Sequence, residues 1–295
     1  MVGTAPPAKR WLLVELEGRW LPTAIDSLGL RAQVRTRLAS MAAKSQARVM
    51  LIRRVGRRPS GPHRRWCVID DPATAADRVL TWGTWSVGED LVAAGELLLA
   101  QADAAKQARA AGSAPRGETR SSGPELLLVC THGKHDVCCA TRGRPVAAAL
   151  DARWPDETWE CSHTGGDRFA ANALVLPDGA CYGGLDPDVA VNVITEHYLA
   201  SPDTAYLRGR TGYSPPEQAA LVAAYHHHPA ARWGTFTVDG MTSEGDRHVV
   251  QVSGEGGHFE VPVTDHVREP HQLTCAATTA NRSTVPVAGE MRRLR

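Results

Sequence analysis

One order of apolar runs and amphipathic stretches occurs twice in this chain, and the repeat limits the folds that the sequence can form. Each copy reads strand, helix, strand, strand, strand, helix, with little sequence identity between the copies. The opening strand-helix-strand is typical of a parallel pair joined by a right-handed crossover, and the closely spaced later strands are typical of an antiparallel hairpin. We therefore expect each copy to form a mixed sheet flanked by helices.

The first copy is predicted from runs rich in β-branched or aromatic residues and from stretches of helical spacing. Its predicted strands are 11–16, 48–53, 65–69 and 79–85, and its predicted helices are 28–44 and 90–101. Ser86 and Glu89 have the S-x-x-E spacing of a capping box, which predicts the start of the second helix.

The second copy follows a stretch that is rich in Ala, Gly, Ser, Arg and Pro and almost devoid of large apolar side chains. Its predicted strands are 125–129, 158–161, 172–176 and 181–184, and its predicted helices are 144–153 and 186–199. Pro145 and Pro187 suit the first turns of these helices, and Asp186 is the expected N-cap. The polar stretch, residues 103–124, is predicted to be a linker.

The predicted fold class is α/β: two tandem thioredoxin-like α/β units, each a mixed sheet flanked by helices, with a small C-terminal α+β extension. The predicted boundaries are 1–102 and 125–204 for the units and 205–295 for the extension. In the extension, Ser214 and Glu217 form a second capping box around Pro215 and predict a helix. The segment SGEGG predicts a hairpin between strands at 248–252 and 259–263.

Composition limits the possible functions. The net charge of +1 gives no basic surface for nucleic acid, and no apolar run approaches the roughly 18 residues that a membrane span needs. No signal peptide is visible, so we expect a cytoplasmic protein with reduced thiols. Seven cysteines, an odd and clustered set, then favour metal ligation or catalysis over a disulfide framework.

Cysteine and histidine concentrate in the stretch CTHGKHDVCCATRGRP. Cys130 ends a predicted strand and His163 follows another, and ligands collect at the carboxyl ends of parallel strands. If these strands are parallel neighbours, Cys130, the Cys138–Cys139 pair, Cys161 and His163 converge at one edge. Cys139 also precedes a predicted helix, whose first amides favour the thiolate form that binds metal.

The motif C-T-H-G-x-x-D-x-x-C, followed by W-x-C-S-H-x-G-G-x-R-F-A, resembles the sucrase/ferredoxin-like family of thioredoxin-like ferredoxins. The segments GTAPPAKRWLLVE and LVLPDG…YGGL are also similar to it, and the likeness covers residues 3 to about 200. The resemblance implies a [2Fe-2S] cluster held by two cysteines of the first motif and two histidines of an H-x-x-x-H in the second. It also implies an electron carrier or redox sensor with a redox partner protein, rather than a stand-alone enzyme.

Carried over by position, Cys130 and Cys139 match the two cysteine ligands and His163 matches the first histidine. Asp167 stands where the second histidine is expected, which is a departure from the family pattern. A carboxylate is a harder, anionic donor, and Cys161 offers a softer fourth ligand on the same strand face as His163. The spacing of the family motif therefore implies that Asp167 is the fourth ligand of the cluster, with Cys161 as the alternative fourth ligand.

Other interpretations remain open. The same donors suit Zn²⁺, and a third reading is a cluster-less interaction protein. A thioredoxin-type oxidoreductase is disfavoured because the chain has no C-x-x-C. Other cysteines and histidines are expected to have structural roles. We expect Cys67, Cys181 and Cys275 to be buried apolar groups and Cys138 to be a packing or reserve thiol. His132 and His135 are expected to form hydrogen bonds in their loop.

Overall fold

The computed structural model describes residues 1–58, 61–70, 80–110, 126–275 and 277–294. Within these residues the chain forms a nine-stranded mixed sheet flanked by helices and a second, antiparallel sheet. The predicted α/β class is confirmed. No helix of the described part combines the length and apolarity needed to cross a membrane.

The first copy of the repeat forms one half of the large sheet. Its elements are β1 (Arg10–Glu15), α1 (Ala32–Lys44), β2 (Ala47–Arg53), β3 (Arg64–Ile69), β4 (Leu80–Trp85) and α2 (Gly88–Ala110). Strand β1 is parallel to β2 and antiparallel to β3, and β4 pairs with β3.

The second copy has the same connectivity. Its elements are β5 (Leu126–Cys130), α3 (Val137–Arg153), β6 (Thr158–Cys161), β7 (Asn172–Leu176), β8 (Ala180–Gly183) and α4 (Pro187–Tyr198). Strand β5 is parallel to β6 and antiparallel to β7, and β8 pairs with β7. The repeated strand-helix-strand-strand-strand-helix order is confirmed.

The two halves join through antiparallel pairing of β2 with β6, at Ile52–Cys161 and Arg53–Glu160. Every residue of β1 is buried, because alternate side chains face two different clusters. Leu12 packs toward α1 and α2, whereas Leu13 enters an apolar cluster that both halves share. The units are therefore held together by a common core as well as by the sheet.

Helix α2 corrects the predicted linker. It runs to Ala110, so residues 103–110 are helical, and the rest of the predicted linker, 111–124, lies outside the described residues. Residues 103–110 are rich in Ala, Lys, Gln and Arg, which are strong helix formers, so their lack of large apolar side chains did not indicate a linker. At the other end, the Ser86 amide donates to Asp90 rather than to the predicted Glu89.

Helix α3 starts seven residues before its predicted start, so Pro145 lies inside the helix and not in its first turn. The helix N-cap is Asp136, whose carboxylate accepts the Cys138 amide at 3.3 Å. Proline removes one intrahelical donor but does not prevent the surrounding turns from forming. The correction moves the Cys138–Cys139 pair from a loop into the first turn of α3.

The C-terminal region contributes to both sheets. Its elements are β9 (Leu207–Arg210), α5 (Pro215–His227), β10 (Thr237–Glu244), β11 (Arg247–Gly254), β12 (Gly257–Val267), β13 (Thr284–Ala288) and β14 (Arg292–Arg293). Strand β9 pairs with β8, so the large sheet continues past the predicted boundary at residue 204. The predicted capping box and hairpin are both present, with Val252 opposite Phe259.

A buried ion pair at the junction predicts a stability difference. Arg53 lies 2.6 Å from Glu160, and both side chains are less than a tenth exposed. Because Arg53→Ala leaves the Glu160 carboxylate buried and unpaired, we expect a loss of about 3–5 kcal/mol in the free energy of unfolding, measured by urea denaturation. The matched control is Arg37→Ala, which removes an exposed pair with Glu96 and should cost no more than about 1 kcal/mol. Equal losses in the two variants would contradict the expectation.

Candidate metal centre

The first part of the site is built where β5 ends and α3 begins. Cys130 is the last residue of β5, and Asp136 caps α3 so that Cys138 and Cys139 occupy its first turn. Successive helical residues point about 100° apart, because the helix has 3.6 residues per turn. Cys139 therefore faces Cys130, whereas the Cys138 thiol lies near Cys275 and 3.4 Å from the main-chain carbonyl oxygen of Asp167.

Gly143 sets the distance between the helix and the strand. A Cβ at this position would lie 2.0 Å from the carbonyl oxygen of Cys130. Only glycine permits such an approach, so the absence of a side chain here lets α3 pack directly against the end of β5. This contact brings the Cys139 thiol to the Cys130 thiol.

The second part of the site is the loop after β6. Gly165 and Gly166 have φ of 92° and 79°, so the chain turns sharply between His163 and Asp167. The turn places the Asp167 carboxylate 3.0 Å from Nδ1 of His163 and 3.1 Å from Sγ of Cys139. Asp167 thus contacts residues from both parts of the site.

Among the described residues, two overlapping groups could hold a metal here. The sulfurs of Cys130 and Cys139 and a ring nitrogen of His163 lie within 4.8 Å of one another, and so do ligand atoms of His135, His163 and Asp167. Cys130 and Cys139 are almost fully buried, and His163 is partly exposed. The structure therefore brings together four of the predicted site residues.

Cys161, the alternative fourth ligand, lies elsewhere. It is the register partner of Cys130 on β6 and is fully buried in the shared apolar cluster, but within the described chain it belongs to neither group. Burial, together with the nearby Cys130, raises the pKa of its thiol well above the ordinary value. Geometry favours Asp167 over Cys161.

Hydrogen bonds shift the pKa values of the site. The bond from Cys139 outweighs burial and holds the pKa of Cys130 well below its usual range, and the same bond raises the pKa of Cys139. Burial disfavours the charged forms of His163 and Asp167. Their mutual contact overcomes it, raising the pKa of His163 to about 9 and lowering that of Asp167. These shifts favour the charged forms of Cys130, His163 and Asp167.

The geometry of these motifs agrees with the comparison of the sequence with known families, in which a model described as sucrase/ferredoxin-like matches residues 1–209. The chain belongs to the sucrase/ferredoxin-like family. No curated protein and no solved structure matches it. The match covers the whole large sheet except the last residue of β9, and so it includes every residue of the metal centre.

Two histidines of the segment CTHGKHD, His132 and His135, contact His163. The ring of His135 stacks on that of His163 with centroids 3.6 Å apart, and Nδ1 of His132 accepts the His163 amide at 3.3 Å. His132 thus has the hydrogen-bonding role predicted for it. His135 was assigned only such a role, but it also joins a potential metal group, and its position next to Asp136 in the motif was the available signal.

The first half of the sheet also contributes to the site. Arg48 on β2 donates to the carbonyl oxygens of His163 and Thr164, at 2.6 and 3.2 Å. Trp20 packs edge-on against His132 with ring centroids 5.8 Å apart. Sequence reasoning missed both residues, because nothing in the first copy shows that β2 will pair with β6.

The remaining cysteines divide into two classes. Cys67 and Cys181 are buried, as predicted. The prediction for Cys275 is wrong, since its side chain is exposed and lies in a third group with Asp136 and Cys138. No local pattern could have shown this contact, because it joins segments that are far apart in the chain.

The raised pKa of His163 predicts a titration. In the metal-free protein its ring should titrate near pH 9 by NMR, and Asp167→Asn should move the midpoint down toward the ordinary 6.5. Folding raises the pKa of His163. Its protonated ring therefore contributes fully to the free energy of unfolding below pH 6.5, and this contribution is lost as the pH rises through about 9. Relative to His163→Gln, the wild type should lose up to about 3 kcal/mol of unfolding free energy over that window. A midpoint near 6.5 in both proteins would contradict the prediction.

Proposed function

We propose that this protein holds a [2Fe-2S] cluster through Cys130, Cys139, His163 and Asp167 and acts in one-electron transfer or redox sensing. The observation that carries the proposal is the meeting of two buried thiols and an imidazole within 4.8 Å at the end of β5, with Asp167 in contact with Cys139 and His163. This is the position at which open α/β sheets collect ligands.

The chemistry of the donors suits the cluster. Thiolates are the usual ligands of iron–sulfur clusters, and imidazoles replace two of them in Rieske centres. The lowered pKa of Cys130 provides one thiolate, and burial of Cys130 and Cys139 keeps water from the sulfur atoms. When bound, the cluster supplies reversible one-electron oxidation and reduction.

The protein's own residues prepare this site. Arg48 fixes the main chain on either side of the His163–Thr164 bond, and the two glycines of the loop set the turn to Asp167. Ligation requires neutral histidine and deprotonated cysteine, so metal binding must displace protons from His163 and Cys139. Asp167, already within hydrogen-bond distance of both, is placed to ligate once those protons have left to solvent.

Electrons would enter near His135. Its ring is exposed and stacks on that of His163, whereas Cys130 and Cys139 lie beneath the surface. The partly exposed His163 edge is therefore the part of the site nearest to solvent, and we expect the redox partner protein to dock there.

A zinc site is the second candidate, and one observation favours it. Two ligand atoms that each lie roughly 2.0–2.3 Å from one ion can be at most about 4.6 Å apart. The three ligand atoms of Cys130, Cys139 and His163 all lie within 4.8 Å of one another, so a single ion could contact them together. Two cysteines, one histidine and one carboxylate also make a tetrahedral zinc set.

The deciding experiment is anaerobic purification followed by iron, sulfide and zinc analysis with an optical spectrum. The proposal requires about two iron and two sulfide per chain and a red-brown, reducible centre. One equivalent of zinc without sulfide would overturn it in favour of the second candidate. A metal-free protein of full stability would support the third reading, an interaction protein without a cluster.

The identity of the fourth ligand predicts a shift in potential. In Asp167→His a neutral imidazole replaces an anionic carboxylate at the iron, so we expect the reduction potential to rise, on the order of 100 mV, by voltammetry. Asp167→Glu, which keeps the charge, is the matched control and should change the potential much less. An unchanged or lower potential in Asp167→His would argue against Asp167 as a ligand.

Cysteine variants separate ligands from packing residues. Cys130→Ala and Cys139→Ala should each abolish most of the bound iron, because each removes a thiolate from the site. Cys161→Ala removes an equally buried thiol of the same cluster of apolar residues and should keep the wild-type iron content. Loss of iron in Cys161→Ala, with the fold intact by circular dichroism, would identify Cys161 as the fourth ligand.

A further inference from the structure

A second cysteine pair lies beside the metal centre but outside it. The sulfurs of Cys138 and Cys275 and a carboxylate oxygen of Asp136 lie within 4.8 Å of one another. Cys138 is nearly buried in the first turn of α3, whereas Cys275 is exposed. Neither sulfur belongs to the groups formed with His163.

Asp136 holds the two cysteines together through their main chains. Its Oδ1 accepts the Cys138 amide at 3.3 Å, and its Oδ2 accepts the Cys275 amide at 2.6 Å. The carboxylate is itself buried. One side chain therefore fixes the backbone of both residues, so the approach of the thiols is built into the fold and does not depend on a flexible contact.

Cys275 lies in the segment between β12 and β13, which we call the C-terminal hairpin (residues 268–283, described except for 276). Main-chain hydrogen bonds close its base between Arg268 and Ser283, and His271 pairs with Asn281. His271 also lies 3.4 Å from the guanidinium of Arg168, the residue after Asp167. The hairpin thus contacts both parts of the metal centre, at Asp136 and at Arg168.

The pair is better suited to a disulfide than to a metal ion. Both carboxylate oxygens of Asp136 already accept amide hydrogens, which reduces their capacity to act as the third ligand. The remaining donors are two thiols, one exposed and one beneath it. An exposed thiol that can be attacked by a neighbouring thiol is the arrangement of a reversible redox pair.

We propose that Cys138 and Cys275 form a reversible regulatory disulfide that fastens the C-terminal hairpin to the first turn of α3. The oxidant is a small-molecule disulfide of the glutathione type. The rotation that closes the bond belongs to the exposed side chain of Cys275, while Cys138 stays fixed in the helix.

The reaction proceeds by two thiol–disulfide exchanges. The Cys275 thiolate attacks one sulfur of the small disulfide; an S–S bond forms, the original S–S bond breaks, and one small thiolate leaves. The Cys138 sulfur then attacks the Cys275 sulfur of this mixed disulfide, and the second small thiolate leaves. The two cysteines are oxidised by two electrons, the small disulfide is reduced, and the two cysteine protons end on the two released thiols.

The consequence for the metal centre rests on the proposed function. Cys138 is adjacent to Cys139, and the C-terminal hairpin also contacts Arg168. The disulfide would therefore link the hairpin covalently to α3 and hold it against both parts of the site. We expect oxidation to slow the release of bound metal to a chelator on the order of tenfold, because a cross-link removes the open states of the hairpin.

The test uses the full chain, purified anaerobically and incubated with oxidised glutathione. Remaining thiols are alkylated, and the peptides are mapped by mass spectrometry. The proposal requires a Cys138–Cys275 linkage that a dithiol reductant reverses. A stable glutathione adduct on Cys275 with Cys138 still alkylatable, or a linkage between Cys130 and Cys139, would overturn it.

Variants distinguish the order of the two exchanges. Cys138→Ser should stop at the glutathione adduct on Cys275, and Cys275→Ser should leave Cys138 reduced. The control Cys67→Ser removes a buried thiol on β3 that belongs to none of the metal-binding groups of the described residues, and it should oxidise like the wild type. The mapping needs no metal, so a failure of the cluster proposal would appear in the metal analysis and leave this result unaffected.

Discussion

In the described residues, β2 and β6 join the two halves of the large sheet at Ile52–Cys161 and Arg53–Glu160, and a buried ion pair, Arg53 with Glu160, lies at this junction. Such a pair is costly to desolvate, and its value lies in fixing one register of β2 against β6. The metal centre depends on that register, because Arg48 of β2 holds the His163 loop by its carbonyl oxygens. A slip of one residue would turn alternate side chains of β2 to the opposite face of the sheet and away from the loop. The first half, which carries no metal motif, thus acts as the support for the second.

Sequence reasoning found the parts of the site that depend on local rules. Cys130 ends a strand and His163 follows its parallel neighbour, and the topology of such strands places both at one edge. It missed what depends on tertiary packing. Helix α3 begins after its N-cap Asp136, whereas Pro145 had suggested a later start. The alanine-rich end of α2 resembles a linker in composition. The contact of Cys275 with Asp136 joins distant segments and has no local signature.

Cys138 and Cys139 are adjacent in α3, and the rotation of about 100° between successive helical residues places their thiols in two different environments. The Cys139 thiol lies near Cys130 and the carboxylate of Asp167, whereas the Cys138 thiol lies near Cys275 and the main-chain carbonyl of Asp167. Asp136 makes this division possible because it starts the helix at a defined residue and also anchors the hairpin. A shift of the helix start by one residue would turn each side chain by about 100°, so that Cys138 would take the direction that Cys139 has now. The N-cap therefore determines which cysteine lies in the candidate metal centre.

The substitution of aspartate for the expected second histidine changes how the site is held without metal. An imidazole at residue 167 beside His163 would add a second positive charge or a neutral ring, and neither has the negative charge that favours the protonated form of His163. The carboxylate does so, and its contacts with His163 and Cys139 close the network across the two parts of the site. This preorganisation has a cost, because a metal must break the contact with His163 before it can bind. Asp167 thus links the loop after β6 to the first turn of α3 through His163 and Cys139.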